Sequence, residues 1–366
     1  MMIADRRTLD SLRAGACQAR VVGDYARAAR LERQAVERAE ALGWIDERTR
    51  ALLWEGYSLR QAGEDDLALA ALLQAASERA ATADPADVFS ALIAIVHISL
   101  DHKSVAFCRV VLDQGRRLLA DLRRPWSGPL DFLEGELALR RGDFTAAWSW
   151  HSRAWVGWRD EHPRLTAPTH LWALCRVAFR RRATDELARL TETLAELRPA
   201  QALERQLVQR ARLLDWRARR ALALGDAAPV EPALDLLAAT EKGEGGGPDF
   251  GARREALRVL ALAGHWEEMD AALSRWPLDL ERFEDALLLG DLALGRARAA
   301  RGGPAVDEDY GEPANGGSAS SFVLTGEALR EAESYYRVAL SLAEIEDERL
   351  ETEWHGATVR ERLWRI

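Results

Sequence analysis

Repetition with a period of about 40 residues constrains this chain more than any other feature of its sequence. Short turns recur in which a glycine precedes an acidic, aromatic or small residue and then a small-residue helix, as in Gly142-Asp143-Phe144. Successive turns are 38 to 43 residues apart, at Gly23, Gly63, Asp101, Gly142, Arg182, Gly225 and Gly264. A steady period of this size is typical of solenoids, whose units pack only on their neighbours. The sequence therefore predicts an all-α, right-handed α-solenoid (superhelix) of about eight helix-turn-helix repeats.

The second repeat illustrates the pattern of one unit. Leu52, Gly56 and Leu59 form a packing stripe on its first helix, and Gly63 ends that helix as a C′ glycine does. The second helix carries apolar and small residues on one face, namely Leu67, Ala68, Leu72, Ala75 and Ala76. A glycine inside the stripe predicts that the two helices approach closely at Gly56, and Gly135 occupies the same place in the fourth unit.

The fourth unit resembles the tetratricopeptide repeat family. Its residues Asp131 to Gly135, Gly142-Asp143-Phe144, Ala147 and Ala154 follow the family's order of apolar, small, glycine, aromatic and alanine-like positions. The family's usual unit has about 34 residues, and longer units of this kind resemble the repeat domains of large bacterial transcription activators and peptide-sensing regulators. The resemblance covers residues 3 to 345 and implies that the first helices line a concave groove.

Two segments interrupt an array that is otherwise predicted to make residues 1–366 a single solenoid. Residues 241–249 contain four glycines and a proline, which predicts a flexible loop. Residues 301–321 are rich in Gly, Pro, Asp, Glu and Ser, which predicts a disordered insertion in the last repeat, between helices at 283–300 and 326–342. An amphipathic helix over residues 346–364 is predicted to cap the open end.

The charge balance narrows the class of partner. The formal net charge is −9, which argues against nucleic-acid binding. Only Lys103 and Lys242 are lysines, so arginine supplies 48 of the 50 basic residues. A GC-rich genome is one explanation of that bias, and it indicates a bacterial protein. Its physical consequence is that the basic side chains carry a planar fork that matches carboxylates and phosphates.

The remaining composition predicts a protein of the cytoplasm. Cys17, Cys108 and Cys175 are odd in number and lack paired spacing, so neither a disulfide framework nor a zinc site is expected. The first seven residues contain no apolar run of the kind that a signal peptide needs. No stretch approaches 18 consecutive apolar residues, so no membrane association is expected.

Catalysis is not expected from the motifs. The seven histidines form no HExxH pair, and the chain contains no phosphate-binding glycine loop, GxSxG elbow or GxGxxG turn. We therefore expect no catalytic residues, no cofactor and no metal.

The groove-facing stripe of each first helix follows from helix geometry, since it must lie beside the packing stripe of Leu52, Gly56 and Leu59. Carried along the array, it predicts a partner-binding groove rich in arginine and aromatic residues. These residues are Arg50, Tyr57, Arg60, Phe132, Arg140, Trp172, Arg176, Phe179, Arg180, Arg212, Arg219, Arg254 and Arg258. Ordinary solvated charge on exposed helix faces is the alternative interpretation.

Two functions remain open for such a groove. The first is a non-catalytic adaptor or scaffold that binds a protein or peptide with acidic and apolar residues. The second is a sensor or regulatory module that binds a signalling peptide or a small acidic ligand and controls a partner protein. Trp148, Trp155 and Trp158 recur at helical spacing and offer a second docking surface, unless they fill space between the helices. Neither pattern specifies an oligomeric state.

Overall fold

The fold is given by a computed structural model that describes residues 2–77, 84–121, 128–161, 168–197, 202–222, 227–241, 250–275, 277–299, 326–350 and 352–364. All regular secondary structure in these ranges is helical. The first seven helices are α1 (Met2–Val21), α2 (Tyr25–Ala41), α3 (Ile45–Gln61), α4 (Asp65–Ser77), α5 (Pro85–His102), α6 (Val105–Asp121) and α7 (Gly128–Arg140). The next five are α8 (Phe144–Glu161), α9 (Pro168–Arg180), α10 (Thr184–Glu196), α11 (Ala202–Ala221) and α12 (Val230–Glu241). The last five are α13 (Phe250–Ala263), α14 (Trp266–Arg275), α15 (Phe283–Ala299), α16 (Gly326–Leu350) and α17 (Trp354–Trp364).

Helices that are adjacent in sequence pack on each other, as in the successive contacts of α1 with α2, α2 with α3 and α3 with α4. First helices also touch the next first helix along the chain, as α9 touches α11 and α11 touches α13. This arrangement confirms the predicted all-α solenoid of helical repeats. The chain divides into two compact units, Met1–Glu134 and Gly135–Ile366, which are described in turn.

Most of the described turns that set the repeat have one backbone conformation, whereas α5, after Asp101, ends in extended backbone at Lys103. Gly63 and Gly142 have φ of +83° and +75°, in the left-handed region that side chains disfavour. Arg182, at a turn without glycine, adopts the same conformation with φ of +58°. Asp143 then caps the following helix, because its carboxylate accepts a hydrogen bond of 2.9 Å from the backbone N–H of Ala146. The recurring Gly-Asp pair therefore ends one helix at the glycine and caps the start of the next helix with the aspartate.

In the first unit, the close approach predicted at Gly56 is present. A Cβ at Gly56 would lie 2.5 Å from Cγ of Leu72, so α3 and α4 touch where only hydrogen fits. Leu52 and Leu72 are both fully buried beside this contact. The helical hairpin is thus held by backbone approach and leucine packing together.

The second unit contains the predicted end of the array, with different boundaries. The helix predicted at 326–342 continues to Leu350, and the predicted cap at 346–364 begins only at Trp354. Asp347 explains the boundary, because it lies inside α16 and its carboxylate accepts hydrogen bonds from the backbone N–H groups of His355 and Gly356, at 2.9 and 2.7 Å. The carboxylate on α16 therefore caps the start of α17.

Some sequence predictions fall outside the described residues. The predicted insertion at 301–321 lies there entirely, and the predicted loop at 241–249 lies there except for its first residue. Among the helices that are described, none is long and apolar enough to cross a bilayer.

Candidate functional site

The second unit surrounds a cavity of about 380 Å³, which we call the chamber. Its walls come from α7, α9, α11, α13, α15 and α17. Seven arginines line it, Arg140, Arg176, Arg180, Arg210, Arg217, Arg254 and Arg258, against three glutamates, Glu136, Glu255 and Glu284. The apolar part of the lining is Leu139, Trp172, Phe179, Leu214, Phe283, Leu287 and Trp354. The lining therefore has four more formal positive charges than negative ones, in a protein with a net charge of −9.

Carboxylates hold several of these arginines in place. Arg210 on α11 forms a two-bonded fork with Glu255 on α13, with Nε–Oε2 and Nη2–Oε1 distances of 2.9 and 3.3 Å. Arg254 donates from Nη1 to the fully buried Asp285 at 2.8 Å. Each pair joins two successive first helices, so the charged groups also fix the spacing of the chamber wall.

The faces of aromatic rings also hold arginines of the lining. The guanidinium carbon of Arg210 lies 4.5 Å from the ring centroid of Trp172, and that of Arg217 lies 4.8 Å from Phe179. Arg217 is only 1% exposed, which makes it one of the largest fully buried side chains among the described residues. Guanidinium groups stack well on aromatic faces because their charge is spread over a plane. The aromatic residues of the lining thus orient arginines.

A buried cluster of ionisable groups begins at Glu136 and runs into the core behind the wall. Arg176 donates from Nη1 to both oxygens of Glu136, at 2.9 and 3.0 Å, and His151 Nε2 lies 3.5 Å from Oε1. Burial alone would raise the pKa of Glu136, but the charges of Arg176, His151 and Arg140 lower it to about 2. Burial lowers the pKa of His151 to about 4 despite the nearby carboxylate. At neutral pH the carboxylate is therefore ionised and the imidazole neutral.

The chamber is closed by the return of α17 to the turn between α7 and α8. Thr352 Oγ1 donates to the backbone carbonyl of Arg141 at 3.1 Å, across 211 residues of sequence. His355 Nε2 lies 2.8 Å from the carbonyl oxygen of Arg140, where the ring N–H donates to it. The ring of Trp354 covers Gly142, since a Cβ there would lie 2.5 Å from its Cγ.

Further contacts anchor α17. The Trp354 ring meets Phe144 edge to face, with centroids 5.6 Å apart. Asp291 on α15 accepts hydrogen bonds from Tyr336 Oη on α16 and Arg362 Nε on α17, at 2.9 and 2.8 Å. Trp354, His355 and Thr358 also line the chamber. The segment that closes the unit is therefore part of the wall that a bound molecule would touch.

Seven of the residues predicted for the groove meet in the chamber, namely Arg140, Trp172, Arg176, Phe179, Arg180, Arg254 and Arg258. Arg50, Tyr57, Arg60 and Phe132 lie in the first unit. There, Arg50 Nε donates to Asp87 at 3.0 Å, Tyr57 lies 5.8 Å from the ring of Trp54, and Phe132 lies 6.2 Å from the ring of His97.

The predicted stripe of α11 is displaced from the observed wall. Arg212 is exposed and Arg219 pairs with Asp215 at 3.0 Å, whereas the chamber face of this helix carries Arg210, Leu214 and Arg217. The shift from Arg212 to Arg210 is two positions, or about 200° around a helix. The turn at Gly225 misplaces the face because α11 ends at Ala221, four residues before it, whereas α7 and α9 each end two residues before their turns at Gly142 and Arg182. The spacing of Arg210, Leu214 and Arg217 by four and three residues was the available signal.

Two tryptophans of the tryptophan-rich helix α8 pack against the helices that follow it. Trp148 and Trp155 are half-buried against the apolar core formed by α9, α10 and α11. The side chain of Trp158 lies outside the described residues. Trp148 and Trp155 thus fill space between helices with part of their surface, whereas the ring of Trp150 stacks with the guanidinium of Arg153, 4.6 Å from its centroid.

Within the described residues, no group of three or more His, Cys, Asp or Glu side chains is placed to hold a metal ion. Comparison with protein-family models gives no match to this chain, and comparison with curated proteins gives no relative.

Proposed function

We propose that this protein is a non-catalytic binding protein that recognises an acidic ligand in the chamber and relays its presence to a partner protein, as a sensor or regulatory module does. One observation carries this proposal: seven arginines face three glutamates in a partly enclosed cavity. Excess positive charge is unfavourable where water is limited, and an anionic ligand relieves it. The fixed orientation of Arg210 and Arg217 favours binding further, because little side-chain freedom is lost.

The size of the chamber favours a compact ligand. Its volume of about 380 Å³ lies toward the small end of the range for ligand pockets, roughly 300–1,000 Å³. The return of α17 to the turn after α7 also bounds the cavity. An extended peptide would need a groove open along successive repeats, whereas a small molecule or the end of one chain fits this space.

An adaptor function is the second candidate. The lining contains leucines and aromatic rings beside the arginines, which suits a protein or peptide segment with acidic and apolar residues. In that case the chamber takes one anchoring side chain or terminus, and the remaining contacts lie on the surrounding surface. As part of either proposal we place the protein in the cytoplasm, since its three cysteines are free thiols.

The absence of catalysis belongs to the same proposal. Glu136 is paired with Arg176, and its pKa of about 2 keeps it from exchanging protons near neutral pH. Glu255 is likewise paired through both oxygens. Carboxylates arranged in this way support binding and wall geometry more than acid–base chemistry.

The test uses immobilised full-length protein and an extract of the native cell, with bound proteins and small molecules both identified by mass spectrometry. Arg140→Glu with Arg180→Glu reverses charge in the chamber, and Arg212→Glu reverses it on the exposed face of α11 as the control. We expect the control to retain the wild-type ligand and the double variant to lose it. A small molecule lost in this way supports the sensor, and a protein lost in this way supports the adaptor. If folded double variant and wild type retain the same molecules, the chamber is not the binding site.

A further inference from the structure

We propose that the ligand of the chamber is a compact phosphomonoester that carries an apolar or aromatic group. This inference rests on the proposed function and names the chemistry of its ligand. Four features carry it: the amount of excess charge, the directions from which the arginines come, the mixed lining and the volume.

The charge excess favours a dianion over a monoanion. The lining has seven arginines and three glutamates. Directly behind it, Asp285 pairs with Arg254, and Asp291 pairs with Arg362 and lies 3.8 Å from Arg258. Eight arginines then face five carboxylates, which leaves an excess of three positive charges. A phosphomonoester, with a charge of about −1.5 to −2 at pH 7, offsets half to two-thirds of that excess, whereas a single carboxylate offsets one charge.

The directions of the arginines favour phosphate over carboxylate. The lining arginines come from four different helices, α7, α9, α11 and α13. A carboxylate is planar and presents two oxygens, so one or two arginine forks exhaust it. The three terminal oxygens of a phosphomonoester point in three directions and accept from donors on several sides. Arginines that converge from several helices are therefore better matched by a tetrahedral oxyanion.

The apolar lining indicates that the ligand is more than a bare ion. Leu139, Leu214, Phe283 and Leu287 line the same cavity as the arginines. Leu139, Leu214 and Leu287 are already buried, so inorganic phosphate would leave chiefly the half-buried rings of Phe283 and Trp354 facing the cavity. A ring or short aliphatic group attached to the phosphate would cover these rings. The volume of about 380 Å³ limits that group to a small one.

The closing helix provides an independent readout. Trp354 and His355 line the chamber, and the same two residues hold α17 against the turn after α7. A ligand that touches both this helix and the lining arginines of α9, α11 or α13 stabilises the closed unit. Binding should therefore raise the thermal unfolding midpoint as well as release heat.

The experiment is calorimetric titration of the full chain in phosphate-free and sulfate-free buffer at pH 7.5, with thermal unfolding in parallel. The probes are phenyl phosphate, inorganic phosphate, phthalate as an aromatic dicarboxylate, and phenol as a neutral control. We expect one phenyl phosphate per chain, bound about tenfold or more tightly than phthalate or inorganic phosphate, and no binding of phenol. Phenyl phosphate should also raise the unfolding midpoint.

Variants locate the site. Arg180→Gln and Arg140→Gln should each weaken phenyl phosphate binding about tenfold or more, and Arg212→Gln on the exposed face of α11 should leave it unchanged. Arg180→Lys keeps the charge without the fork and should weaken binding severalfold, which tests the site even if Arg180→Gln does not fold.

Several results would overturn the inference. Tighter binding of phthalate than of phenyl phosphate would reassign the ligand to a dicarboxylate. Tighter binding of inorganic phosphate than of phenyl phosphate would show that the ligand has no apolar group. Unchanged affinity in both chamber variants would place the anion elsewhere. Failure of all probes to bind, while extract ligands remain sensitive to Arg140→Glu with Arg180→Glu, would refute the phosphomonoester alone and leave the proposed function standing.

Discussion

Replacing Gly142 by alanine tests whether α17 closes the second unit. Gly142 has φ of +75°, and a Cβ placed on it would lie 2.5 Å from Cγ of Trp354. Gly264 lies in the same unit with φ of +81° and has nothing within 4 Å of an added Cβ. The two glycines share one backbone conformation and differ in whether another side chain covers them, so Gly264→Ala is a matched control.

The expected magnitudes follow from these two environments. Alanine in the left-handed region costs about 1–2 kcal/mol of stability, and this penalty applies to both variants. Overpacking a close contact costs about 1–3 kcal/mol more, and this penalty applies only at Gly142. Gly264→Ala should therefore lower the free energy of unfolding by about 1–2 kcal/mol. Gly142→Ala should lower it by about 2–5 kcal/mol.

The assay is urea unfolding followed by far-ultraviolet circular dichroism, with the midpoint and the slope compared between variants. The same two glycine-to-alanine variants, made in the Trp354→Ala background, complete a double-mutant cycle. Without the indole, Gly142→Ala should destabilise no more than Gly264→Ala. Equal effects of the two alanines in the wild-type background would show that Trp354 does not cover Gly142, and the closure would be wrong.

Two further predictions concern other contacts. Gly56→Leu should destabilise the first unit by about 1–3 kcal/mol or more, because its Cβ would lie 2.5 Å from Leu72, and a thermal midpoint equal to that of wild type would contradict the contact. Burial lowers the pKa of His151 and of His170 from 6.5 to about 4, so the unfolded chain binds more protons between these values and stability should fall as pH falls through that window. His151 alone should contribute a loss of about 2 kcal/mol between pH 7 and pH 5, a range that lies above both the ordinary pKa of 4.5 and the folded pKa of about 2 of the Glu136 carboxyl. Urea midpoints that do not change over this range would contradict the buried neutral imidazole.

The local parts of this fold could be predicted from the sequence because local residues encode them. Gly142 and Asp143 specify a helix stop and a helix start, and Gly56 specifies a close approach. The faces of α7, α9 and α13 also followed from the period, since Arg140, Arg176 and Arg254 all line the chamber. In each of these cases the information lies within one or two helical turns.

The closure of the second unit could not be predicted in this way. The contact of Thr352 with Arg141 joins residues 211 positions apart. It depends on the summed rotations between successive helices, and no single residue carries that sum. The prediction of the chamber face of α11 was wrong for a related reason, because a change of two positions in one repeat turns Arg212 away from the wall. An error of one or two residues in the assigned helical position has little effect within one repeat. Carried across several repeats, it places side chains on the wrong face of a helix.

The long separation between Arg141 and Thr352 also determines when the second unit can be completed during synthesis. At about 5–20 residues per second, the ribosome needs roughly 10–40 s to make the chain between these two positions. During that interval Trp354 has not been synthesised, so its indole does not yet cover the surface of Gly142 and Phe144. Nascent chains that end between these two positions therefore expose this surface to chaperones and to premature contacts. The chamber can acquire its full wall only after translation has passed Thr358.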